Sequence, residues 1–206
     1  MRMVFLVLAL FVAPLAARAE TAILAGGCFW CVEANFEAVP GVTNVVSGYT
    51  GGTTANPTYK EVGHGGTGHY EAVKITFNPG QISYAEIIAK FLRSTDVVDA
   101  GGQFCDRGES YRTAIFAKGN AQKAAAEAEV AKAEAELGQK IVTPVLKAKP
   151  FYNAEDYHQN YYRGDSIVIT RRGPKSQSAA YKFYRDACGR DARLKQLWGG
   201  AAEFLH

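Results

Sequence analysis

Basic clusters and internal repeats are both lacking in this sequence, and each absence excludes a class of protein. The 23 lysines and arginines exceed the 20 aspartates and glutamates only slightly, and Arg171-Arg172 is an isolated basic pair. A nucleic-acid-binding surface needs a stripe of positive charge, so we expect no nucleic-acid partner. Without repeats, a single domain is expected rather than an array of small units.

Long apolar runs are also lacking, apart from one near the N terminus. Arg2 precedes an uninterrupted apolar run from Met3 to Ala13, Pro14 ends the run, and Ala17-Arg18-Ala19 places small residues where a signal peptidase reads them. The run is shorter than the ~20 apolar residues that a membrane-spanning helix needs. We therefore predict a secretory signal over residues 1–19, cleaved after Ala19. The protein is expected to be exported, periplasmic and without a stable membrane anchor.

The remaining residues, 20–206, are expected to form one catalytic domain. Hydrophobic residues make up 48% of the chain and charged residues 21%, which is ordinary for a globular protein with a real core. Cysteines are few. Cys28 and Cys31 are too close in sequence to join distant parts, and Cys105 and Cys188 stand alone. We interpret the cysteines as chemical groups first, and a disulfide-stapled binding domain stays open as an alternative.

The order of strand and helix patterns predicts an α+β fold. An apolar run at Thr21–Ala25 indicates a strand, helix formers follow from Phe29 to Ala38, and His69–Phe77 alternates as a strand does. Ser83-Tyr-Ala-Glu86 is a capping box at the start of another helix. Because these elements interleave with little βαβ rhythm, we expect a mixed sheet with flanking helices in a two-layer, ferredoxin-like core. Residues 164–206 are expected to form a long irregular C-terminal segment.

Cys28 has the local sequence of a nucleophile. It follows Gly26-Gly27 and begins the predicted helix, whose N terminus should lower the thiol pKa and favour the thiolate. Phe29 and Trp30 come next and are expected to build an apolar pocket wall. Glu71 lies on one face of the predicted strand; if that face is buried, desolvation raises its pKa and makes it a general acid. A solvated carboxylate at the strand end is the open alternative.

A series of sequence blocks resembles the A-type peptide-methionine sulfoxide reductases, in the order found in that family. The blocks are Gly26-Gly-Cys-Phe-Trp-Cys-Val-Glu33, Val46-Ser-Gly-Tyr-Thr-Gly-Gly52, Asn56-Pro-Thr-Tyr59, Gly66-Thr-Gly-His-Tyr-Glu-Ala-Val73, Gly101-Gly-Gln-Phe-Cys-Asp-Arg-Gly108, Tyr111-Arg-Thr-Ala-Ile-Phe116 and Glu155-Asp-Tyr-His-Gln159. The resemblance implies an α+β fold with a mixed sheet and reduction of the S epimer of methionine sulfoxide, free or in proteins. It further implies a thioredoxin-like reductant. We expect no metal or other cofactor, and a monomer.

The resemblance also implies a role for each matching residue. Cys28 falls on the nucleophile, and Glu71 falls on the carboxylic acid that hydrogen-bonds the sulfoxide oxygen. Phe29 and Trp30 fall on the aromatic wall that holds the substrate methyl group. Tyr59 and Tyr111 fall on two hydroxyl donors of the pocket, and Asp106 falls on a further polar residue of the pocket. Thiolate attack on the sulfoxide sulfur would release methionine and leave a sulfenic acid on the nucleophile.

A second thiol must condense with that sulfenic acid to form a disulfide. The family places this resolving cysteine in a mobile C-terminal segment, which implies Cys188. Cys31 is a rival because it lies one helical turn from Cys28, although helix geometry is expected to separate the two side chains. Cys105 is next to Asp106 and would then lie near the site, which leaves a part in recycling open, but a small buried loop residue is the expectation.

Two other enzyme classes stay open from the residues alone. The C-x-x-C spacing of Cys28 and Cys31 is typical of thiol–disulfide oxidoreductases, which place the motif in a βαβ unit. His158 could serve as the base of a cysteine–histidine hydrolase, although a structural hydrogen bond is the expected role. A zinc site is disfavoured because the cysteine pair lacks a second close pair of ligands. If the protein is exported, its reductant must be a periplasmic or membrane-relayed thioredoxin-like protein.

Overall fold

A computed structural model describes residues 18–206 of the chain, so nearly all of the predicted signal lies outside the described residues. The strands are β1 (Glu20–Gly26), β2 (Val42–Thr50), β3 (Tyr70–Phe77), β4 (Gly102–Gln103), β5 (Asp106–Arg107), β6 (Thr113–Ala117), β7 (Val145–Lys147), β8 (Tyr152–Asn153), β9 (Ile167–Thr170) and β10 (Gly173–Ser176). The helices are α1 (Phe29–Glu37), α2 (Tyr59–His64), α3 (Tyr84–Leu92), α4 (Gly119–Leu137), α5 (Gln177–Ala187) and α6 (Arg190–Trp198). None of the helices in this range is long and apolar enough to span a bilayer.

A six-stranded mixed sheet forms the centre of the fold, in the order β7-β6-β1-β3-β2-β8. The neighbours β6-β1-β3-β2 are antiparallel, β8 extends them antiparallel to β2, and β7 lies parallel to β6. The chain order β1-α1-β2-β3-α3-β6 is therefore the βαββαβ arrangement of a ferredoxin-like core. The predicted α+β fold with a mixed sheet is confirmed.

Both faces of the central strands are covered, which decides the environment of Glu71. On one face, Leu24 of β1 packs in the main core with Phe36 of α1 and Phe91 of α3, and all three are fully buried. On the other face, Phe116 and its neighbours form a smaller apolar cluster. Because side chains alternate along a strand, Glu71 points to the helix-covered face, toward the start of α1.

The C-terminal segment differs from the irregular structure expected for it. β9 and β10 form an antiparallel hairpin, and α5 and α6 follow. Leu194 and Trp198 of α6 are buried in the main core, and Arg193 forms an ion pair with Asp96 at 2.6 Å. Four of the nine residues of α6 are charged, and these contacts with the rest of the domain help to hold it in place.

Candidate active site

Cys28 occupies the N-cap position of α1, directly after β1. Gly27 has φ +80, and a Cβ at Gly27 would lie 2.5 Å from the Cβ of Gln103, so the turn before the cysteine requires glycine. The turn leaves the Cys28 side chain half-buried in the wall of a cavity of about 450 Å³. The predicted helix start at the cysteine is confirmed.

Glu71 of β3 lines the same cavity and is only 2% exposed. Its Oε2 accepts a hydrogen bond of 3.1 Å from the backbone N–H of Phe29, the first residue of α1. Burial raises the pKa of the Glu71 carboxyl to about 8, against the lowering effect of the Phe29 N–H and of the Tyr111 hydroxyl. Glu71 is therefore a protonated acid at neutral pH, and the alternative of a solvated strand-end carboxylate is wrong.

Cys28 and Cys31 both line this cavity, and each thiol shifts the pKa of the other. Both thiols are free, and Cys31 is buried against Tyr161 and Tyr181. The hydrogen bond to Cys28 lowers the pKa of Cys31 to about 6, and Arg190 and Arg185 lower it further. The same hydrogen bond, with burial, raises the pKa of Cys28 well above its usual range. The pKa of Cys28 is thus raised, not lowered as expected from the helix terminus, and the two thiols titrate as a coupled pair.

Replacing Cys31 by alanine should therefore raise the pH at which the active-site thiol first ionises by about one to two pH units. The alanine removes a hydrogen bond to an anion, which contributes roughly 1.5–3 kcal/mol. Cys31→Ser is the matched control, because its hydroxyl can still donate to a thiolate on Cys28, and it should shift the midpoint less. Thiolate absorbance measured against pH, with Cys105–Cys188 oxidised, gives both midpoints. Equal midpoints in wild type and alanine variant would contradict the shared thiolate.

Phe29 and Trp30 form the aromatic wall of the cavity, and Trp30 is fixed by contacts with Tyr161 and His158. Trp30 stacks on Tyr161 with ring centroids 3.7 Å apart and planes inclined by 5°. Its Nε1–H donates to Nδ1 of His158 at 3.2 Å. Burial lowers the pKa of His158 to about 4, so the ring is neutral and Nδ1 accepts. The expected structural hydrogen bond of His158 is thus present, and it orients an indole of the cavity wall.

The three remaining predicted pocket residues converge on the same cavity from different elements. Tyr59 is the first residue of α2, where its N–H donates to Glu155 at 2.9 Å. Tyr111 ends a 3-10 turn, Glu109–Tyr111, and Asp106 begins β5. Burial raises the pKa of both tyrosines and of Asp106. Both hydroxyls therefore keep their protons and can donate hydrogen bonds toward Cys28 and Glu71.

Cys188 lies at the C-cap of α5, lines the cavity, and is joined by a disulfide to Cys105. Cys105 sits in the short turn between β4 and β5 and is exposed, so the expectation of a small buried loop residue is wrong. The two-residue strands hold this turn at the surface beside α5. The structure thus brings all four cysteines to one cavity.

One wall of the cavity was missed by sequence reasoning. It is contributed by the C-terminal segment and the β4–β5 turn, through Phe104, Arg171, Tyr181, Tyr184, Arg185 and Arg190. A signal was available: Tyr181, Tyr184 and Arg185 are spaced three and four residues apart, as on one face of a helix. This spacing is informative only if the segment is a helix, and residues 164–206 were predicted to be irregular.

A shared thiolate, a neutral buried carboxylic acid and nearby hydroxyl donors define a cysteine-dependent redox enzyme with its own proton donor. The sequence model described as Peptide methionine sulfoxide reductase matches residues 20–190, and the chain belongs to that family. The A-type resemblance found in the sequence is confirmed. The two strands that flank α1, β1 and β2, run parallel to each other but are separated by β3, so α1 lies in a split βαβ unit.

Relatives and solved structures agree with this assignment. Peptide methionine sulfoxide reductase MsrA 2 of Rhizobium meliloti is 49% identical over 187 residues, covering 91% of this chain and 87% of that protein. Peptide methionine sulfoxide reductase MsrA of Bacillus subtilis is 47% identical, covering 88% and 97%. Methionine sulfoxide reductase A of Corynebacterium diphtheriae superposes with a TM-score of 0.67 at 30% identity, covering 76% of this chain and 84% of that chain.

Proposed function

We propose that this protein reduces the S epimer of methionine sulfoxide, free or within proteins, to methionine. The main support for the proposal is that the peptide group between Cys28 and Phe29 links the nucleophile to the carboxyl of Glu71 by a hydrogen bond. The Phe29 N–H that follows the nucleophile in sequence bonds the carboxyl of Glu71 at 3.1 Å, so thiol and acid face the same cavity. A thiol next to a protonated carboxylic acid suits a substrate with an electrophilic sulfur and a basic oxygen.

The reaction follows from these positions. The Cys28 thiolate attacks the sulfoxide sulfur while Glu71, protonated below about pH 8, gives its proton to the oxygen. Tyr59 and Tyr111 donate hydrogen bonds where negative charge develops on that oxygen. The oxygen passes to Cys28 as a sulfenic acid, methionine leaves, and Phe29 and Trp30 hold the methyl group during the transfer. Asp106 completes the polar side of the pocket.

Recycling requires two further electrons per sulfoxide. A second thiol attacks the Cys28 sulfenic acid, a disulfide forms and water leaves. We assign this step to Cys188, because it lines the cavity and lies at the end of α5, next to Gly189 at φ +64. A dithiol protein of the thioredoxin-like class then reduces the disulfide and regenerates the thiols.

Single turnover on blocked peptides carrying one epimer at the sulfoxide sulfur tests the reaction. Reduced enzyme should form methionine from the S-sulfoxide peptide and none from the R-sulfoxide peptide, with one disulfide appearing per methionine in the first turnover. A scrambled-disulfide substrate is the comparison for the oxidoreductase alternative. Isomerisation of that substrate without methionine formation would favour the alternative and reject the reductase.

We also propose that the chain is exported, with its signal removed after Ala19, and that it acts as a monomer. Support for export is the Arg2-led apolar run and the small residues before Glu20, where β1 begins. N-terminal sequencing of the periplasmic fraction should find Glu20 first, and sedimentation should give the mass of one chain. An intact Met1 in the cytoplasmic fraction would overturn the export proposal.

A further inference from the structure

A second cavity, with a volume of about 580 Å³, lies beside the reaction cavity. Trp30 and Tyr59 line both cavities, so the two spaces share a wall. On the Cys28 side of this wall the sulfoxide reacts, with its methyl group against Trp30 and its oxygen next to the Tyr59 hydroxyl. The far side of the wall has no part in that reaction, but it lies within reach of a substrate that is longer than one residue.

Aromatic rings make up much of the second cavity, since five of the ten residues that line it carry one. The ring centroid of His158 lies 4.3 Å from that of Tyr59 and 4.1 Å from that of Tyr157. Tyr157 is 57% exposed, so much of its ring is available for contact with a ligand. His158 is neutral, and among the described residues that line this cavity Asp156 is the one that carries a charge. An aromatic lining with so little charge favours an aromatic or apolar ligand.

The β9–β10 hairpin supplies a further side of the second cavity. Val168 of β9 lines the cavity and is half-buried, whereas its neighbours Ile167 and Ile169 are 69% and 81% exposed. Because side chains alternate along a strand, Val168 faces the cavity and the two isoleucines lie on the opposite face of β9. Gln177, the first residue of α5, donates from Nε2 to the carbonyl of Tyr157 at 2.9 Å. This hydrogen bond joins the end of the hairpin to the aromatic side of the cavity.

We propose that the second cavity is a subsite for the side chain of a residue next to methionine sulfoxide in a polypeptide substrate, and that it selects aromatic and large apolar side chains. This inference rests on the proposed reductase function. Neighbouring Cα atoms are about 3.8 Å apart, so a chain whose sulfoxide lies on the Cys28 side of Trp30 places an adjacent side chain near the far side. That contact is the same before and during the reaction, so it should lower KM and leave kcat unchanged.

Such a subsite suits the segments that an oxidised protein presents. Methionine in a folded protein is mostly surrounded by other apolar side chains. Oxidation makes the methionine side chain polar and disrupts the core, which exposes apolar neighbours together with the sulfoxide. A chain of this kind can fill both cavities at once. Free methionine sulfoxide has no neighbouring residue to place in the second cavity, so the subsite favours the protein-bound substrate over the free one.

Three blocked peptides, reduced with dithiothreitol as electron donor, test the subsite. One carries methionine-S-sulfoxide between two glycines, and each of the others has phenylalanine in place of one glycine. We expect wild-type kcat/KM to be about tenfold higher for one of the phenylalanine peptides than for the glycine peptide, through a lower KM. Val168→Ser and Tyr157→Ala should each reduce this ratio to about twofold or less. Ile169→Ser, on the opposite face of β9, is the matched control and should keep the wild-type ratio.

Several outcomes would overturn the subsite. Equal kcat/KM for the three peptides in wild type, or an unchanged ratio in both cavity variants, would show that the cavity does not bind the neighbouring residue. An equal loss on all three peptides would show that Tyr157 and Val168 only support Trp30. A loss seen only when a thioredoxin-like protein replaces dithiothreitol would assign the cavity to the reductant. The absence of methionine from every peptide would instead reject the reductase function. Because the ratio is measured within one protein, partial misfolding of a variant does not change it.

Discussion

Serine at position 28 should abolish methionine formation, with a loss on the order of 10⁴-fold or more in kcat/KM. A hydroxyl is a far weaker nucleophile than the thiolate that Cys28 shares with Cys31, and a serine cannot become a sulfenic acid. The measurement is methionine release from an S-sulfoxide peptide in a single turnover. The loss should be present with dithiothreitol as well as with a protein reductant, because the chemical step itself fails.

The controls for this variant use the other cysteines of the cavity. Cys188→Ser should still release one methionine per chain and leave Cys28 as a sulfenic acid, because only the recycling step is removed. Dimedone labelling of Cys28 in that variant, and the absence of labelling in Cys28→Ser, would locate the oxidised sulfur. Methionine release by Cys28→Ser at a rate comparable with wild type would mean that another thiol, with Cys31 the first candidate, is the nucleophile.

Glutamine at position 71 should lower kcat/KM by about 10²- to 10⁴-fold at neutral pH, which is the usual contribution of a general acid. The glutamine amide has nearly the size of the carboxyl, and its carbonyl can still accept the Phe29 N–H, so the start of α1 should keep its position. Only the acidic proton is lost. Glu86→Gln, at the exposed capping box of α3, is the matched control and should leave the rate unchanged.

The pH dependence separates the proton donor from a structural role of Glu71. The pKa of Glu71 is raised to about 8, so the acid form is present below that pH and is lost as the pH rises through it. The pKa of Cys31 is lowered to about 6 while that of Cys28 is raised, so the two thiols titrate as a coupled pair. Wild-type kcat/KM should therefore fall near pH 8, where Glu71 loses its proton. The fall near pH 8 should be missing in Glu71→Gln; if it persists there, another group is the acid.

Periodicity and glycine placement were sufficient to predict the central part of the fold. The alternation of residues 69–77 predicted β3, and the capping box at Ser83 predicted α3 with its correct first turn. These signals are local, since they depend on side chains that alternate or on caps within one turn. α6 is also stabilised by contacts that no local pattern shows, such as Arg193 with Asp96, which are 97 residues apart.

The residues of the site and the raised pKa of Glu71 were predicted, but the protonation of the thiols was not. The resemblance gave Cys28, Glu71 and the aromatic and hydroxyl side chains, and the structure brings all of these to one cavity. The protonation of the thiols could not be predicted, because it depends on a hydrogen bond between Cys28 and Cys31 and on arginines of the C-terminal helices. The partner of Cys188 was likewise hidden, because a pairing across 83 residues leaves no local pattern.

The contact between Phe29 and Glu71 has a consequence for how this enzyme can diversify. Three consecutive residues at the start of α1 carry the main roles. Cys28 is the nucleophile, the Phe29 N–H binds the carboxyl of Glu71, and Phe29 and Trp30 form the aromatic wall. The opposite wall is formed by residues of the C-terminal segment and of the β4–β5 turn, which are separate from α1 in the chain. Substitutions there can alter the shape and charge offered to a protein substrate while the reacting groups keep their geometry. Apart from Cys188 and the arginines that act on Cys31, the C-terminal wall can therefore change at a different rate from the residues that react with the sulfoxide.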